Sequence, residues 1–121
     1  MKKTFCFDLD NVICKTKKDK VYKNSKPIKK NIETVNLLYE KGHKIIIFTA
    51  RCMGRYNGNL RMVKKKIMPL TLKQLKKWNV KYHKIYFGKP SYDLFIDDKA
   101  MFFKKNWSTI LIKKNYIEND K

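Results

Sequence analysis

A chain of 121 residues with 43% hydrophobic content folds as one domain with a modest core, and no stretch approaches the length that spans a bilayer. The net charge of +20 comes from 27 Lys and only 3 Arg, with the lysines spread from Lys2 to Lys121. Such a charge steers anions toward the molecule, but a Lys-, Ile- and Asn-rich coding bias would spread it in the same way. Composition therefore does not choose between nucleic acid and a small phosphorylated ligand. The three cysteines, Cys6, Cys14 and Cys52, are odd in number and lack metal-like spacing, so they indicate neither a disulfide framework nor a zinc site. Cys6 reads as core and Cys52 as packing. The basic start Met1–Thr4 mimics a leader, yet Asp8 and Asp10 interrupt any apolar segment after it, and a cytoplasmic protein is expected.

In chain order, Thr4–Phe7 is short, aromatic and β-prone and reads as a buried strand delivering Asp8-Leu9-Asp10 at its C-terminal end. Val12–Lys26 alternates apolar pairs with a charged centre and reads as a small β-hairpin flap overhanging that end. Pro27 opens a helix to about Lys41, with Ile28, Ile32, Val35, Leu38 and Tyr39 on one face and Gly42 as its stop. Lys44–Phe48 is a second strand and ends in Thr49-Ala50-Arg51. Ala50–Leu60 is a loop, and Pro69–Asn79 is a second helix with Leu72, Leu75 and Trp78 inward. Strands are expected at Lys84–Phe87, Leu94–Ile96 and Thr109–Ile112, with a short helix at Lys99–Lys105 and a polar, mobile tail from Lys113. Strands alternating with helices imply a single α/β domain: a three-layer, Rossmann-like parallel sheet with helices on both faces. His43 and His83 precede strands and read as structural or exposed.

Ligands of open α/β sheets bind beyond the C-terminal ends of the strands, where these polar residues fall. Asp8 is placed to attack phosphorus as a nucleophile, splitting one hard hydrolysis into two steps. Asp10, two residues on, suits the general acid and then the general base. Asp97 and Asp98 offer hard oxygen ligands that, with Asp8 and the backbone carbonyl of Asp10, suit Mg²⁺. Thr49 and Lys89 offer a hydroxyl and a positive charge to the phosphoryl oxygens.

Asp8-Leu9-Asp10-Asn11-Val12, Thr49 after an apolar strand, Lys89 in Gly88-Lys89-Pro90, and Ile96-Asp97-Asp98 resemble, in order, the four motifs of the haloacid dehalogenase superfamily. The resemblance covers roughly residues 4 to 112. It implies Asp8 as nucleophile, Asp10 as acid/base, and Leu9, Asp10, Thr49, Ala50 and Lys89 around the phosphate. It further implies Asp8, Asp10, Asp97 and Asp98 around Mg²⁺. Thr49-Ala50-Arg51, Gly88-Lys89-Pro90 and the short length are similar to small phosphatases encoded with bacterial capsule-biosynthesis genes. One position departs from the pattern: the hydroxyl residue usual after the second aspartate is Val12 here, which alters how Asp10 is positioned.

The three arginines, Arg51, Arg55 and Arg61, are confined to one short stretch. Arginine presents a planar fork that lysine does not copy. The expected substrate-binding residues are accordingly Arg51 and Arg55, with Tyr56 and Asn57 contributing sugar or base contacts. There is no room for a cap domain. The site is open, and a homo-oligomer is expected from the resemblance. The leading reading is a Mg²⁺-dependent phosphomonoesterase acting on a phosphorylated sugar or nucleotide-sugar conjugate of surface-polysaccharide biosynthesis. The alternatives are an end-processing phosphatase on nucleic acid, which ranks lower because no aromatic–basic interleaving is present, and a non-catalytic phosphate-binding module.

Overall fold

The computed structural model describes residues 2–101 and 103–113. Its centre is a parallel sheet of β1 (Thr4–Phe7), β4 (Lys44–Thr49) and β5 (Lys84–Phe87), in the order β1-β4-β5. Phe5 lies opposite Ile45 and Phe7 opposite Ile47, while Ile47 lies opposite Ile85 and Thr49 opposite Phe87. A separate two-stranded antiparallel ribbon, β2 (Cys14–Lys15) with β3 (Lys26–Pro27), forms the base of the flap, which also carries a 3-10 turn at Tyr22–Asn24.

Helix α1 (Lys29–Glu40) joins β1 to β4, and α2 (Leu60–Lys77) joins β4 to β5. Both crossovers step in the same direction across the sheet, and right-handed crossovers of that kind put both helices on one face. The packing agrees. Phe7, Ile45 and Ile47 are buried with Ile32, Val35 and Leu38 of α1, Leu75 of α2, and Trp107 and Leu111 of α3 (Trp107–Lys113). A second cluster joins Val63 and Ile67 of α2 to Phe87, Tyr22 and Cys52.

Several expectations are corrected. The described helices cover one sheet face rather than two. The opposite face presents Cys6, Lys44, Lys84 and Tyr86 to solvent, so Cys6 is not core. Leu94–Ile96 also does not join the sheet. Leu94 and Ile96 are 76% and 87% exposed, while Tyr92 and Phe95 meet edge-to-face at 5.3 Å. Those two rings turn toward the Lys89 ammonium, at 5.4 and 5.7 Å, so the segment folds over Lys89 instead of joining a ladder.

Thr109–Ile112 is helical, because Trp107 and Leu111 stand four apart and are buried together. Lys99–Lys105 forms no helix among its described residues, and Phe102 lies outside them, as do residues 114–121 of the expected mobile tail. Pro27 pairs in β3, so α1 begins at Lys29. Helix α2 begins nine residues earlier than Pro69: the Asn59 side chain accepts from the Met62 N–H at 3.2 Å and caps it. Its inward stripe is Val63, Ile67, Thr71, Gln74 and Leu75, whereas Leu72 is exposed.

Both histidines brace strand starts. His43 Nδ1 accepts from the Lys3 N–H and His83 Nδ1 from the Ile45 N–H, each at 3.0 Å. The His83 ring stacks on Tyr39 at 4.5 Å.

Candidate functional site

Three adjacent parallel strands end side by side, so the residues that follow them converge: Asp8-Leu9-Asp10 after β1, Ala50-Arg51 after Thr49 at the end of β4, and Gly88-Lys89 after β5. The first turn is tight. The Leu9 carbonyl accepts from the amides of Val12, Ile13 and Cys14 at 3.3, 2.9 and 3.2 Å, and Asn11 adopts a positive φ of 67° to close it. The fully buried Leu9 side chain anchors this turn, and its N–H donates to Asp8 Oδ1 at 2.8 Å.

Lys89 Nζ lies 3.4 Å from Asp8 Oδ2, with the lysine side chain 12% exposed and the aspartate 38%. Gly88 makes that approach possible. Its φ is +101°, and a Cβ there would stand 3.1 Å from Leu60 Cδ1. The Lys89 N–H donates to the Thr49 carbonyl at 3.1 Å, knitting the ends of β4 and β5 together.

Burial raises the proton affinity of the Asp8 carboxyl, and the Asp10 charge adds to that. Lys89 and the Leu9 N–H pull the other way without cancelling it. At Lys89 burial works against the charge, but contact with Tyr92 and Asp8 outweighs it, so the ammonium is held above its ordinary range.

Asp10 is held from below by Arg51. Nη2 donates to Oδ1 at 2.9 Å, and Nε reaches Oδ1 and Oδ2 at 3.1 and 3.0 Å. The Arg51 side chain is wholly buried and that of Asp10 is 20% exposed. Nη1 donates to Gln74 Oε1 at 2.6 Å and Thr71 Oγ1 at 3.1 Å, and the guanidinium carbon sits 4.8 Å from the Tyr22 ring centroid. Gln74 Nε2 in turn donates to the Tyr22 carbonyl at 2.7 Å. From the flap, the Thr16 hydroxyl donates to Asp10 Oδ1 at 2.5 Å and lies 2.7 Å from Ser25 Oγ. Cys14 abuts the same carboxylate, and burial together with the Asp10 charge pushes its thiol up to about 12.

The structure thus brings Asp8, Leu9, Asp10, Thr49, Arg51 and Lys89 to one edge of the sheet. It corrects the role expected of Arg51: with no exposed side-chain surface and every nitrogen engaged, the guanidinium faces Asp10 and α2, not a substrate. Thr49 is also fully buried, and its hydroxyl accepts from the Arg51 N–H at 3.1 Å, so it fixes the turn. The Ala50 carbonyl accepts from the Met53 N–H in the same turn. Arg55 is exposed and reaches the Lys20 carbonyl of the flap at 3.4 Å. Tyr56 packs on the second apolar cluster, and Asn57 is exposed with a φ of +50°.

Asp97 and Asp98 are exposed in a turn where Asp97 Oδ1 accepts from the Lys99 N–H. The structure does not bring them to Asp8. Among the described residues no three His, Cys, Asp or Glu side chains stand close enough to hold a metal ion. The residues as arranged therefore do not fit a complete Mg²⁺ site.

Sequence reasoning missed Thr16, Tyr22, Ser25, Thr71 and Gln74. The last two carried a signal: they are polar positions on the otherwise apolar stripe Val63, Ile67, Leu75 of α2. A groove of about 590 Å³ runs along the flap, lined by Lys17, Lys23, Lys26, Lys77 and Trp78. It is separate from the convergence point, since neither Asp8 nor Lys89 lines it.

The chain is similar to a crystal structure of a target protein from Vibrio cholerae, at 29% sequence identity with a TM-score of 0.74, over 95% of this chain and 99% of that one. No family model and no curated protein matches it.

Proposed function

We propose that the protein is a phosphomonoesterase that works through a phosphorylated Asp8, and that its substrate is a phosphorylated sugar or nucleotide-sugar conjugate. The observation that carries this reading is the Asp8–Lys89 pair at 3.4 Å, set at the C-terminal edge of three parallel strands beside an Asp10 gripped by Arg51. A carboxylate, a cation and a second carboxylate in that order supply a nucleophile, a charge for the phosphoryl oxygens and a proton carrier. Among the described residues no cap overhangs the site apart from the flap, which leaves room for a large leaving group.

In the first step an Asp8 carboxylate oxygen attacks phosphorus. The bond from phosphorus to the ester oxygen breaks, its electron pair leaves with that oxygen, and Asp10 delivers a proton to give the alcohol. In the second step water attacks phosphorus and surrenders a proton to Asp10. The bond to Asp8 then breaks, releasing inorganic phosphate and the free carboxylate. Lys89 neutralises charge on the group in flight and lowers the repulsion between Asp8 and an arriving phosphate dianion. Mg²⁺ is proposed as cofactor on the resemblance alone, since the described carboxylates as arranged do not complete a site for it, and no step is routed through it. Capsule biosynthesis as the setting and assembly into a homo-oligomer belong to the same proposal.

The net charge of +20 permits a second reading, an end-processing phosphatase on nucleic acid. One experiment addresses both: phosphate release from sugar phosphates, nucleotide-sugar conjugates and oligonucleotides with terminal phosphate, in Mg²⁺ or EDTA, with Asp8→Asn as control. The first reading expects Mg²⁺-dependent release from a sugar phosphate or conjugate, lost in Asp8→Asn. Preference for oligonucleotides, with steep loss of activity on adding salt, favours the second. No release from any of them removes both.

A further inference from the structure

Asp10 has its two oxygens in different surroundings. Oδ1 receives the Arg51 fork at 2.9 and 3.1 Å and the Thr16 hydroxyl at 2.5 Å. Among the described residues Oδ2 receives only Arg51 Nε, at 3.0 Å. Thr16 has one hydroxyl hydrogen and spends it on Oδ1, so the 2.7 Å contact with Ser25 is a donation from Ser25 to Thr16. The chain of donors therefore runs from Ser25 through Thr16 to Asp10. A carboxyl oxygen already accepting from a guanidinium and a hydroxyl has little capacity left to carry a proton. Oδ2, with one donor against it, is the less occupied of the two oxygens.

Thr16 and Ser25 lie on the flap, while Arg51 lies under the sheet edge, held by Thr71 and Gln74 of α2. Asp10 is thus clamped between two separate elements. The clamp also answers a question raised by the sequence. Val12 brings no hydroxyl to the turn after Asp10, and the flap supplies one from Thr16 instead. The 3-10 turn that precedes Ser25 is itself anchored, since Gln74 donates to the Tyr22 carbonyl and Tyr22 packs against Arg51.

We infer that Arg51 and Thr16 are positioning residues for Asp10, fixing Oδ1 as an acceptor and turning Oδ2 toward the leaving oxygen. The inference rests on the phosphomonoesterase reading above. It assigns Arg51 a part in proton delivery rather than in substrate recognition, and it makes the flap a working part of the acid. Hydrogen bonds to charged groups are directional, and orienting a general acid is part of its advantage.

The test compares two esters that differ in their need for a proton. Glycerol 1-phosphate expels an alkoxide that must be protonated, while p-nitrophenyl phosphate expels a stabilised phenolate. The ratio kcat/KM reports binding and transfer to Asp8, the first irreversible step, and leaves out the later hydrolysis of the phosphorylated protein. Thr16→Val is the main variant, since it keeps the shape of a partly exposed side chain and removes only the hydroxyl. It is expected to lower kcat/KM on glycerol 1-phosphate about tenfold more than on p-nitrophenyl phosphate, the scale of one hydrogen bond to a charged group. Thr16→Ser is expected to restore the lost activity. Arg51→Lys, which keeps the charge and loses the fork, is expected to show the same split if it folds.

Equal losses on both esters, a change in KM alone, or no loss in Thr16→Val would overturn the inference while leaving the phosphomonoesterase reading in place. Wild-type protein that releases phosphate from neither ester nor any sugar phosphate, nucleotide-sugar conjugate or oligonucleotide of the panel removes that reading, and the positioning role goes with it.

Discussion

Arg51 and Asp10, on the loops after β4 and β1, form a forked ion pair in which Nη2 meets Oδ1 at 2.9 Å and Nε meets Oδ2 at 3.0 Å. It joins the first crossover unit to the second at the strand ends, and α2 is tied to it through Thr71 and Gln74. Removing the guanidinium leaves a carboxylate, a hydroxyl and an amide oxygen without their shared donor. Arg51→Met is expected to cost about 3 kcal/mol, the lower end for a broken buried pair because Asp10 keeps some solvent. Urea unfolding followed by circular dichroism checks it.

Asp8 is expected to be stabilising to lose. Burial raises its pKa in the folded state, and the pull of Lys89 does not offset that, so the ionised form is disfavoured by folding. A raised folded value means that the cost is fully present above the folded pKa. It vanishes as pH falls below the ordinary aspartate value of about 3.9. Asp8→Asn should therefore melt a few degrees higher than wild type at neutral pH. The gap should close in melts taken at progressively lower pH.

Gly88 is the position at which β5 turns Lys89 toward Asp8. With φ at +101° and Leu60 already 3.1 Å from where a Cβ would stand, Gly88→Ala meets both backbone strain and a contact that must give. A cost of roughly 1–3 kcal/mol is expected from the strained backbone alone. Activity should fall as well, because Lys89 moves. Thermal melts and phosphate release on the same preparation separate the two effects.

The thiols should differ sharply in reactivity. Cys6 stands exposed on the uncovered sheet face, whereas Cys14 and Cys52 are buried. Burial pushes the Cys14 thiol up to about 12, leaving almost no thiolate at neutral pH. Ellman's reagent on native protein at pH 8 is expected to label one cysteine quickly and two only on unfolding, and Cys6→Ser should abolish the fast phase.

What the sequence disclosed was the part governed by local pattern. β1, β4 and β5 announce themselves as short apolar runs, and α1 by its stripe of Ile32, Val35 and Leu38. The carboxylates stood out because they fall at the end of such a run. The start of α2 was missed because Pro69 reads as a helix opening, whereas Asn59 caps a helix that begins at Leu60, nine residues earlier. Leu94–Ile96 has strand composition, but a strand also needs a ladder partner, and Tyr92 and Phe95 are taken up by Lys89. Arg51 was misassigned for a related reason. Its rarity in a lysine-rich chain marks it as important, yet what it grips lies 20 to 41 positions away, at Thr71, Gln74 and Asp10, and no local pattern encodes that.

The central claim is that Asp8 takes the phosphoryl group, and acid-quenched mass spectrometry of the protein during turnover tests it most directly. The account predicts a peptide containing Asp8 that gains the mass of one phosphoryl group, with no such species in Asp8→Asn. Turnover without that species, the group on another residue, or an Asp8→Asn variant as active as wild type would contradict it.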